Sequence, residues 1–337
     1  MAGARADPGF RGRIGLSGLQ PIFRGFGRRL GKGHCTVGGK TLNLGLNNGP
    51  HHRHGGFQGF NLRHWQAKVI EGTLTSPDQG SQPAAGVRFS LTSPDGDQGF
   101  PGKVLARVDI VITEDNQLVF AYQATTGAET PLNLTNHAYW NLQGEGSGTI
   151  HDHVLRLASP GWLEVDDGSI PTGKFCAMAG SAWDFSAARK METVLSPRNA
   201  PADSPKIGID HNFIVDPKVA KNEFRLEADG TSQSAPVRLA AELAAPGSIG
   251  MSVLTSLPGV QVYTANYLNG ENGRKGPHPR HAGICLETQN FPDAPNQAEA
   301  FRVIGKRLGY GEADMAGWDG LLRPGTTWNE LTVHRFQ

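Results

Sequence analysis

Residues 108–122 read VDIVIT-EDNQ-LVFAY, and this stretch decides the fold class. Two runs rich in β-branched and aromatic residues flank the polar turn 114–117, which is the pattern of a β-hairpin. Because strand side chains alternate, the second run places three large apolar residues on one face, namely Leu118, Phe120 and Tyr122. The residues between them are apolar too, so we predict that the other face of this hairpin is also partly buried.

The rest of the chain repeats this pattern of strands and turns. Gly and Pro supply 45 and 22 of the 337 residues, well above the ~12% of average usage, and both disfavour helix interiors. Helix is predicted only over 186–193 and 298–308. We therefore expect an all-β protein, a many-stranded antiparallel β-sandwich, with further strands over 87–91, 154–157, 211–215, 224–226, 237–243, 252–254, 260–264, 283–287 and 327–335.

Charge and cysteine content exclude several classes of protein. Lys and Arg number 32 against 31 acidic residues, a net charge of +1, so no nucleic-acid partner is expected. The three cysteines lie far apart in the sequence, which argues against a disulfide framework and a structural zinc site. With no run of about 18 apolar residues and no secretory leader, we expect a cytoplasmic protein without membrane contact.

The N-terminal segment 1–33 differs from the remainder of the chain. It contains nine Gly and six Arg against a single acidic residue, Asp7, and it lacks strand alternation. We interpret it as a flexible basic arm or as a segment foreign to the fold. The predicted organisation is this atypical segment followed by one domain over 34–337.

A histidine-rich turn over 47–56 is the densest polar cluster. On an extended chain only His52 and His54 would share a face, and no cysteine lies near. Three interpretations stay open. The imidazoles could bind a metal, they could form a polar surface turn, or Gly55-Gly56 could let the backbone approach a ligand that one imidazole reaches.

Two further clusters carry titratable groups among amides and aromatics. Alternation over 133–142 places His137, Tyr139 and Asn141 on one face. Glu287 follows an apolar stretch, and burial would raise the pKa of its carboxyl group to a range suited to acid–base work. Asp210 lies in a similar string. An imidazole and a carboxylate in such surroundings describe a site for a neutral polyhydroxylated ligand, although a metal pair at 151–153 remains an alternative.

These strings resemble the aldose 1-epimerases, also called galactose mutarotases. The similarity runs from about residue 30 to 291 and again over 321–336. Its motifs occur in the family's order: NGPHHRHGG at 48–56, SPDGDQGFPG at 93–102, LTNHAYWNL at 134–142, IPTG at 170–173, GIDHN at 208–212, PGVQVYT at 258–264, LETQNFPD at 286–293 and RPG at 323–325.

The resemblance implies a large distorted antiparallel β-sandwich, the galactose mutarotase-like supersandwich, and interconversion of the α and β anomers of free aldohexoses such as glucose and galactose. It places the base on Glu287 and the acid on His137. Sugar-binding positions fall on His54, Asp210 and Gln261. The implied partner is a monosaccharide, bound by a monomer or a homodimer without metal or cofactor.

The sequence departs from the family at the N-terminal side. Family members carry a string Gly-Arg-x-x-Asn-Arg-Ile, whose second Arg contacts the sugar. Only the last part of this string is matched here. Arg29 is the best match to that sugar-binding Arg, while Arg28 replaces the Asn before it. A changed reading frame upstream of Leu30 would explain this segment. Arg53 stands where the family usually has Leu, and 298–319 resembles an insertion.

Two other functions remain open at this point. An epimerase of phosphorylated or other sugars would need a cationic pocket, for which Arg53 is the candidate. Alternatively, the chain could be a catalytically impaired carbohydrate-binding module that has lost its first strands.

Overall fold

The computed structural model describes residues 19–20, 28–195 and 208–337, with the backbone alone at residues 19 and 20. Most of the N-terminal segment 1–33 therefore lies outside the described residues. The described α-helices are α1 (Glu192–Leu195) and α2 (Ala294–Leu308). The described strands are β1 (Leu19–Gln20), β2 (Arg29–Leu30), β3 (His34–Val37), β4 (Lys40–Asn43), β5 (His52–Arg53), β6 (Gln66–Ser76), β7 (Gly80–Ser93), β8 (Val104–Thr113), β9 (Gln117–Thr126), β10 (Thr130–Pro131), β11 (His137–Ala138), β12 (Val154–Leu157), β13 (Gly161–Val165), β14 (Pro171–Ala177), β15 (Arg189–Lys190), β16 (Asp210–Ile214), β17 (Asn222–Ala228), β18 (Thr231–Ala244), β19 (Gly250–Thr255), β20 (Gly259–Tyr263), β21 (Glu271–Gly273), β22 (Gly276–His278), β23 (Cys285–Gln289), β24 (Leu321–Leu322) and β25 (Trp328–Phe336).

Two antiparallel sheets dominate the fold. The larger has ten strands in the order β15-β12-β18-β17-β6-β7-β8-β9-β25-β19, and a further pairing between β18 and β19 closes most of it on itself. The smaller has five strands in the order β14-β13-β16-β20-β23. The expectation of an all-β, antiparallel sandwich is therefore confirmed.

The hairpin that decided the fold class is β8 and β9, paired in register from Val104↔Thr126 to Ile112↔Leu118. Both faces of β9 are packed, as its alternation predicted. Phe120 and Tyr122 belong to one hydrophobic cluster, whereas Val119 and Ala121 belong to another. A one-residue slip would exchange these two sets, so the pattern specifies the register of the strand.

The core between the two sheets positions the functional site. Leu155 of β12 and Leu243 of β18 pack there against Phe213, Val262 and Leu286 of the smaller sheet. Because side chains alternate along a strand, the residues next to these three on β16, β20 and β23 point to the opposite face of the smaller sheet. That opposite face carries the polar residues described below.

The predicted helix over 298–308 is confirmed within α2, which begins four residues earlier, at Ala294. Its buried side chains Phe301 and Ile304 pack in one cluster with Phe291 and Trp318, so the region that resembles an insertion contributes to a core. Gly309 ends the helix with φ of +96°, a conformation that favours glycine.

The predicted helix over 186–193 is wrong. Arg189–Lys190 instead forms β15, which pairs with β12 at the edge of the larger sheet, and α1 begins only at Glu192. The backbone and hydroxyl groups of Ser186 both donate to the Asp184 carboxylate. Such local bonds compete with helix formation. The open edge of the larger sheet offers the backbone of Arg189–Lys190 strand pairing instead.

Candidate active site

Three adjacent strands of the smaller sheet bring Asp210, Gln261 and Glu287 together. β16 pairs with β20 so that Asn212 lies opposite Gln261, and β20 pairs with β23 so that Gln261 lies opposite Glu287. Gln261 Nε2 donates a hydrogen bond of 3.1 Å to Asp210 Oδ1. Residues separated by about 50 and 26 positions in the sequence thus form one polar row.

Glu287 lies at the base of this row with a fully buried side chain. Neither carboxylate oxygen has a hydrogen-bond partner among the described residues, which is costly for a buried charge. Burial raises the pKa of this carboxyl group, while the nearby His137 imidazole and Arg28 guanidinium act in the opposite direction. A buried carboxyl group with a raised pKa and unsatisfied oxygens is a strong candidate for a general base or acid.

His137 faces that carboxylate. Its Nε2 lies 3.5 Å from Glu287 Oε1, and its Nδ1 lies 3.3 Å from Cys285 Sγ. Reciprocal backbone hydrogen bonds of 2.8 and 2.9 Å between Trp140 and Ile284 attach this segment to the start of β23. The contact with sulfur and the backbone bridge together orient the imidazole toward Glu287.

Two tyrosines form an aromatic wall around His137. The ring centroids of Tyr139 and Tyr263 lie 5.0 and 5.9 Å from that of His137. Burial raises the pKa of both phenols, to about 12 for Tyr263, so they are neutral hydrogen-bonding groups at physiological pH. The third residue of the predicted face, Asn141, instead donates to the carbonyl groups of Ala282 and Gly148 and is structural.

His54 reaches the site from the histidine-rich turn. The extended chain ends at Arg53, and His54, Gly55 and Gly56 have φ values of +51°, +78° and +94°. The centroid of the His54 ring lies 6.4 Å from that of His137. The rest of the cluster is dispersed, since His52 is buried with its ring 5.3 Å from that of Phe100.

The hydrogen bonds of His54 define its tautomer. Burial lowers the pKa of His54 well below its ordinary value, and the charges of Arg53 and His137 add to the effect, so the ring is neutral. Its Nδ1 accepts a bond of 3.4 Å from the Arg28 backbone N–H, which assigns the proton to Nε2. The ring can therefore donate a hydrogen bond to an oxygen of a ligand.

Asp210 is held by Arg28, a residue to which the sequence assigned no role. Arg28 Nη1 lies 2.7 Å from Asp210 Oδ1, and Nη2 donates to the Asp210 carbonyl oxygen at 3.4 Å. Burial would raise the pKa of Asp210, but the charge and hydrogen bond of Arg28 outweigh it and leave that pKa below its ordinary value. Asp210 is therefore ionised.

Arg29 lies beside the site but contacts a different residue. Its Nε donates a bond of 2.8 Å to Asn48 Oδ1, and it pairs in register with Arg53 across β2 and β5. Burial and the charges of Arg28 and Arg53 lower the pKa of Arg29 to about 10. Among the described residues, Arg28 rather than Arg29 makes the ion pair with Asp210.

Neither of the histidine pairs considered as metal ligands forms a metal site within the described ranges, because no group of three or more His, Cys, Asp or Glu is arranged to hold an ion there. In the 151–153 pair, buried His153 accepts a hydrogen bond from the Leu142 N–H through Nε2. Across the same ranges, no helix has the length and apolar character needed to span a membrane.

Comparisons with known proteins identify the family of this chain. Residues 21–307 match the family model described as aldose 1-epimerase. The galactose mutarotase of Mus musculus is 36% identical over 334 residues, which cover 97% of this chain and 82% of the mouse protein. The aldose 1-epimerase of Escherichia coli is 32% identical over 316 residues, which cover 92% of this chain and 78% of the bacterial protein.

Solved structures share the fold. The GalM/aldose epimerase homologue from C. elegans superposes with a TM-score of 0.71 at 23% identity, over 94% of this chain and 81% of that one. Galactose 1-epimerase from Lactobacillus acidophilus gives a TM-score of 0.70 at 23% identity, over 97% and 81%. These structures show the shared fold, and the family model and the curated relatives establish that the chain belongs to the aldose 1-epimerase family.

Proposed function

We propose that this enzyme interconverts the α and β anomers of a free aldohexose, with galactose and glucose as the first substrates to test. The observation that supports this most directly is the buried Glu287 carboxylate, unsatisfied at both oxygens and 3.5 Å from His137 Nε2. Opening a hemiacetal ring requires one base and one acid at neighbouring oxygens. The relatives named galactose mutarotase and aldose 1-epimerase support the same reaction.

In the proposed mechanism, Glu287 removes the proton from the C1 hydroxyl group while protonated His137 donates one to the ring oxygen. The C1–O5 bond breaks as the C1 carbonyl forms. Rotation about the C1–C2 bond presents the other carbonyl face, and the reverse proton transfers close the ring as the other anomer. Because Glu287 and His137 are already in contact, we infer that the C1–O5 unit of the sugar separates them when it binds.

The remaining polar residues bind and orient the sugar. Among the described residues, both side-chain contacts of Asp210 fall on Oδ1, and in the proposed complex Oδ2 accepts from a sugar hydroxyl group. Gln261 and the Nε2–H of His54 supply further hydrogen bonds to hydroxyl or ring oxygens. Arg29, half-buried next to Asn48, borders the same site and is proposed to contact the sugar at its edge.

We place the enzyme in the cytoplasm, because all three of its cysteines are free thiols, as is usual in a reducing compartment. Separation of cell extracts followed by immunoblotting tests this location. Light scattering of the purified protein distinguishes a monomer from a homodimer.

Polarimetry on freshly dissolved α-D-galactose and α-D-glucose tests the reaction. The wild-type enzyme should accelerate the change in optical rotation well beyond buffer alone, and Glu287→Gln should lower kcat about 10³-fold or more because the base is lost. Glu330→Gln is the matched control, since Glu330 is a glutamate with a raised pKa in the larger sheet. A rate equal to buffer for the wild type, or unchanged in Glu287→Gln, would contradict the proposal.

A further inference from the structure

Arg28 is a charged residue beside the site that the proposed mechanism does not use. Its side chain is only 6% exposed and its guanidinium lies 2.7 Å from Asp210 Oδ1. The backbone adopts a left-handed φ of +76°, which a long side chain rarely adopts. In the family string that this region resembles, the position carries Asn, a residue that tolerates such a φ well. The structure thus retains an unfavourable conformation at a residue that contacts the sugar site.

The side chain and the backbone of Arg28 have different hydrogen-bond partners. The backbone exchanges hydrogen bonds with His54, through the His54 N–H to the Arg28 carbonyl at 3.0 Å and the Arg28 N–H to His54 Nδ1 at 3.4 Å. The guanidinium makes only the Asp210 contacts among the described residues. A substitution of Arg28 therefore removes the ion pair and leaves the support of His54 in place.

The charges around Glu287 come from several elements of the fold. The His137 imidazole and the Arg28 guanidinium favour its ionised form, as does Arg53 to a smaller degree, while Asp210 opposes it. The neutral titratable groups facing the same space are His54 on the turn after β5, Tyr139 after β11, Tyr263 on β20 and Cys285 on β23. Among the cations, Arg28 is itself bound to Asp210, so its position is well defined.

We infer that Arg28 is a positioning residue of the sugar site: it fixes the Asp210 carboxylate with Oδ2 free for the sugar, and it supplies a fixed positive charge that keeps Glu287 available as a base. This inference rests on the proposed function. Loss of the guanidinium would act twice on Glu287, because it removes a positive charge and leaves the negative charge of Asp210 unpaired. Both changes disfavour the ionised Glu287.

The test is the pH profile of kcat/KM for α-D-galactose between pH 4 and pH 8, measured by polarimetry with buffer rates subtracted. The acid limb of this profile reports the base of the free enzyme. In Arg28→Asn the acid limb should move to higher pH by about half to one unit, and KM should rise about 3- to 10-fold because Asp210 is no longer fixed. Arg28→Lys, which keeps the charge, should leave the acid limb close to that of the wild type.

Arg88→Asn is the matched control. Arg88, whose side chain is 11% exposed, is also paired with an aspartate, Asp109, through two contacts of 2.8 Å, but it lies on β7 in the larger sheet. Arg88→Asn should lower stability without moving the acid limb. If Arg28→Asn does not fold, as judged by circular dichroism, Arg28→Met replaces it because Met has similar length and no charge.

The outcomes separate this inference from the proposed function. An inactive wild-type enzyme would contradict the proposed function itself. An active wild type whose acid limb coincides with that of the uncharged Arg28 variant would overturn the inference alone and reduce Arg28 to a structural role. A shift that occurs equally in Arg28→Lys or in Arg88→Asn would overturn it as well.

Discussion

Glu330 offers a prediction about stability that is independent of the active site. It lies on β25 and accepts a hydrogen bond from Ser256 Oγ. Burial raises the pKa of its carboxyl group from 4.5 to about 7. Because the pKa in the folded state exceeds that of the unfolded chain, the folded protein binds more protons between about pH 4.5 and pH 7, and stability falls as the pH rises through this window.

The size of the effect follows from the shift. About 2.5 units correspond to about 3.4 kcal/mol, and we reduce this to about 2 kcal/mol because the side chain is partly exposed to solvent. Glu330→Gln keeps the acceptor for Ser256 and cannot ionise. The variant should therefore be more stable than the wild type by only about 0.5 kcal/mol at pH 5, where a small part of the effect is present. At pH 8 the variant should be more stable by about 2 kcal/mol, or about 3 °C in Tm for a chain of this length.

The assay is chemical denaturation in urea at pH 5, 6, 7 and 8, followed by tryptophan fluorescence, together with calorimetric Tm values at the same pH. The difference between Glu330→Gln and the wild type should grow with pH and level off above about pH 7. Parallel pH dependences, or a variant that is less stable at pH 8, would refute the assignment of the raised pKa to Glu330.

Three further predictions concern the site and its supporting turn. Asp210→Asn removes the negative charge that opposes ionisation of Glu287, so the acid limb of kcat/KM should move to lower pH, opposite to Arg28→Asn, while KM for galactose rises; a shift to higher pH would contradict the charge argument. Cys285→Ala removes the sulfur contact to His137 Nδ1 and should lower kcat about 3- to 10-fold, measured by polarimetry, whereas an unchanged kcat would show that the thiol does not orient the ring. Gly56→Ala should lower the free energy of unfolding by about 1–2 kcal/mol in urea denaturation, because the backbone has a left-handed φ. The loss should exceed that of Gly96→Ala. A Cβ at Gly56 would lie 2.7 Å from Gln98 Oε1, whereas one at Gly96 meets nothing within 4 Å.

Local alternation was enough to predict much of the fold. The predicted strand 260–264 corresponds to β20 (Gly259–Tyr263), and the prediction for 211–215 is one residue from β16. These strands are buried on the face toward the core, so hydrophobicity with period two reports them directly. The helix predicted over 186–193 failed because a sheet edge and the Asp184 carboxylate compete for its backbone, and neither is visible in a local pattern.

The candidate site was likewise predicted from the sequence only in part. Motif strings brought His137 and Glu287 to attention, and the structure places their side chains in contact, although their catalytic roles remain predictions. Sequence reasoning missed Arg28 and Cys285. Cys285 precedes Glu287 by two positions on the same strand face, which is a usable signal, but its contact with His137 spans 148 residues. The choice between adjacent Arg28 and Arg29 depends on a left-handed φ that only the structure shows.

The 3.5 Å contact between His137 Nε2 and Glu287 Oε1 has a consequence for the proposed catalytic cycle as a whole. In the proposed mechanism, ring opening leaves a protonated Glu287 carboxyl group and a neutral His137 imidazole, and ring closure on the other face reverses both transfers. The pair therefore returns to its starting protonation state within each turnover, without a proton from bulk water. Under this mechanism the same pair serves the reaction in both directions, and its acid and base can remain buried throughout.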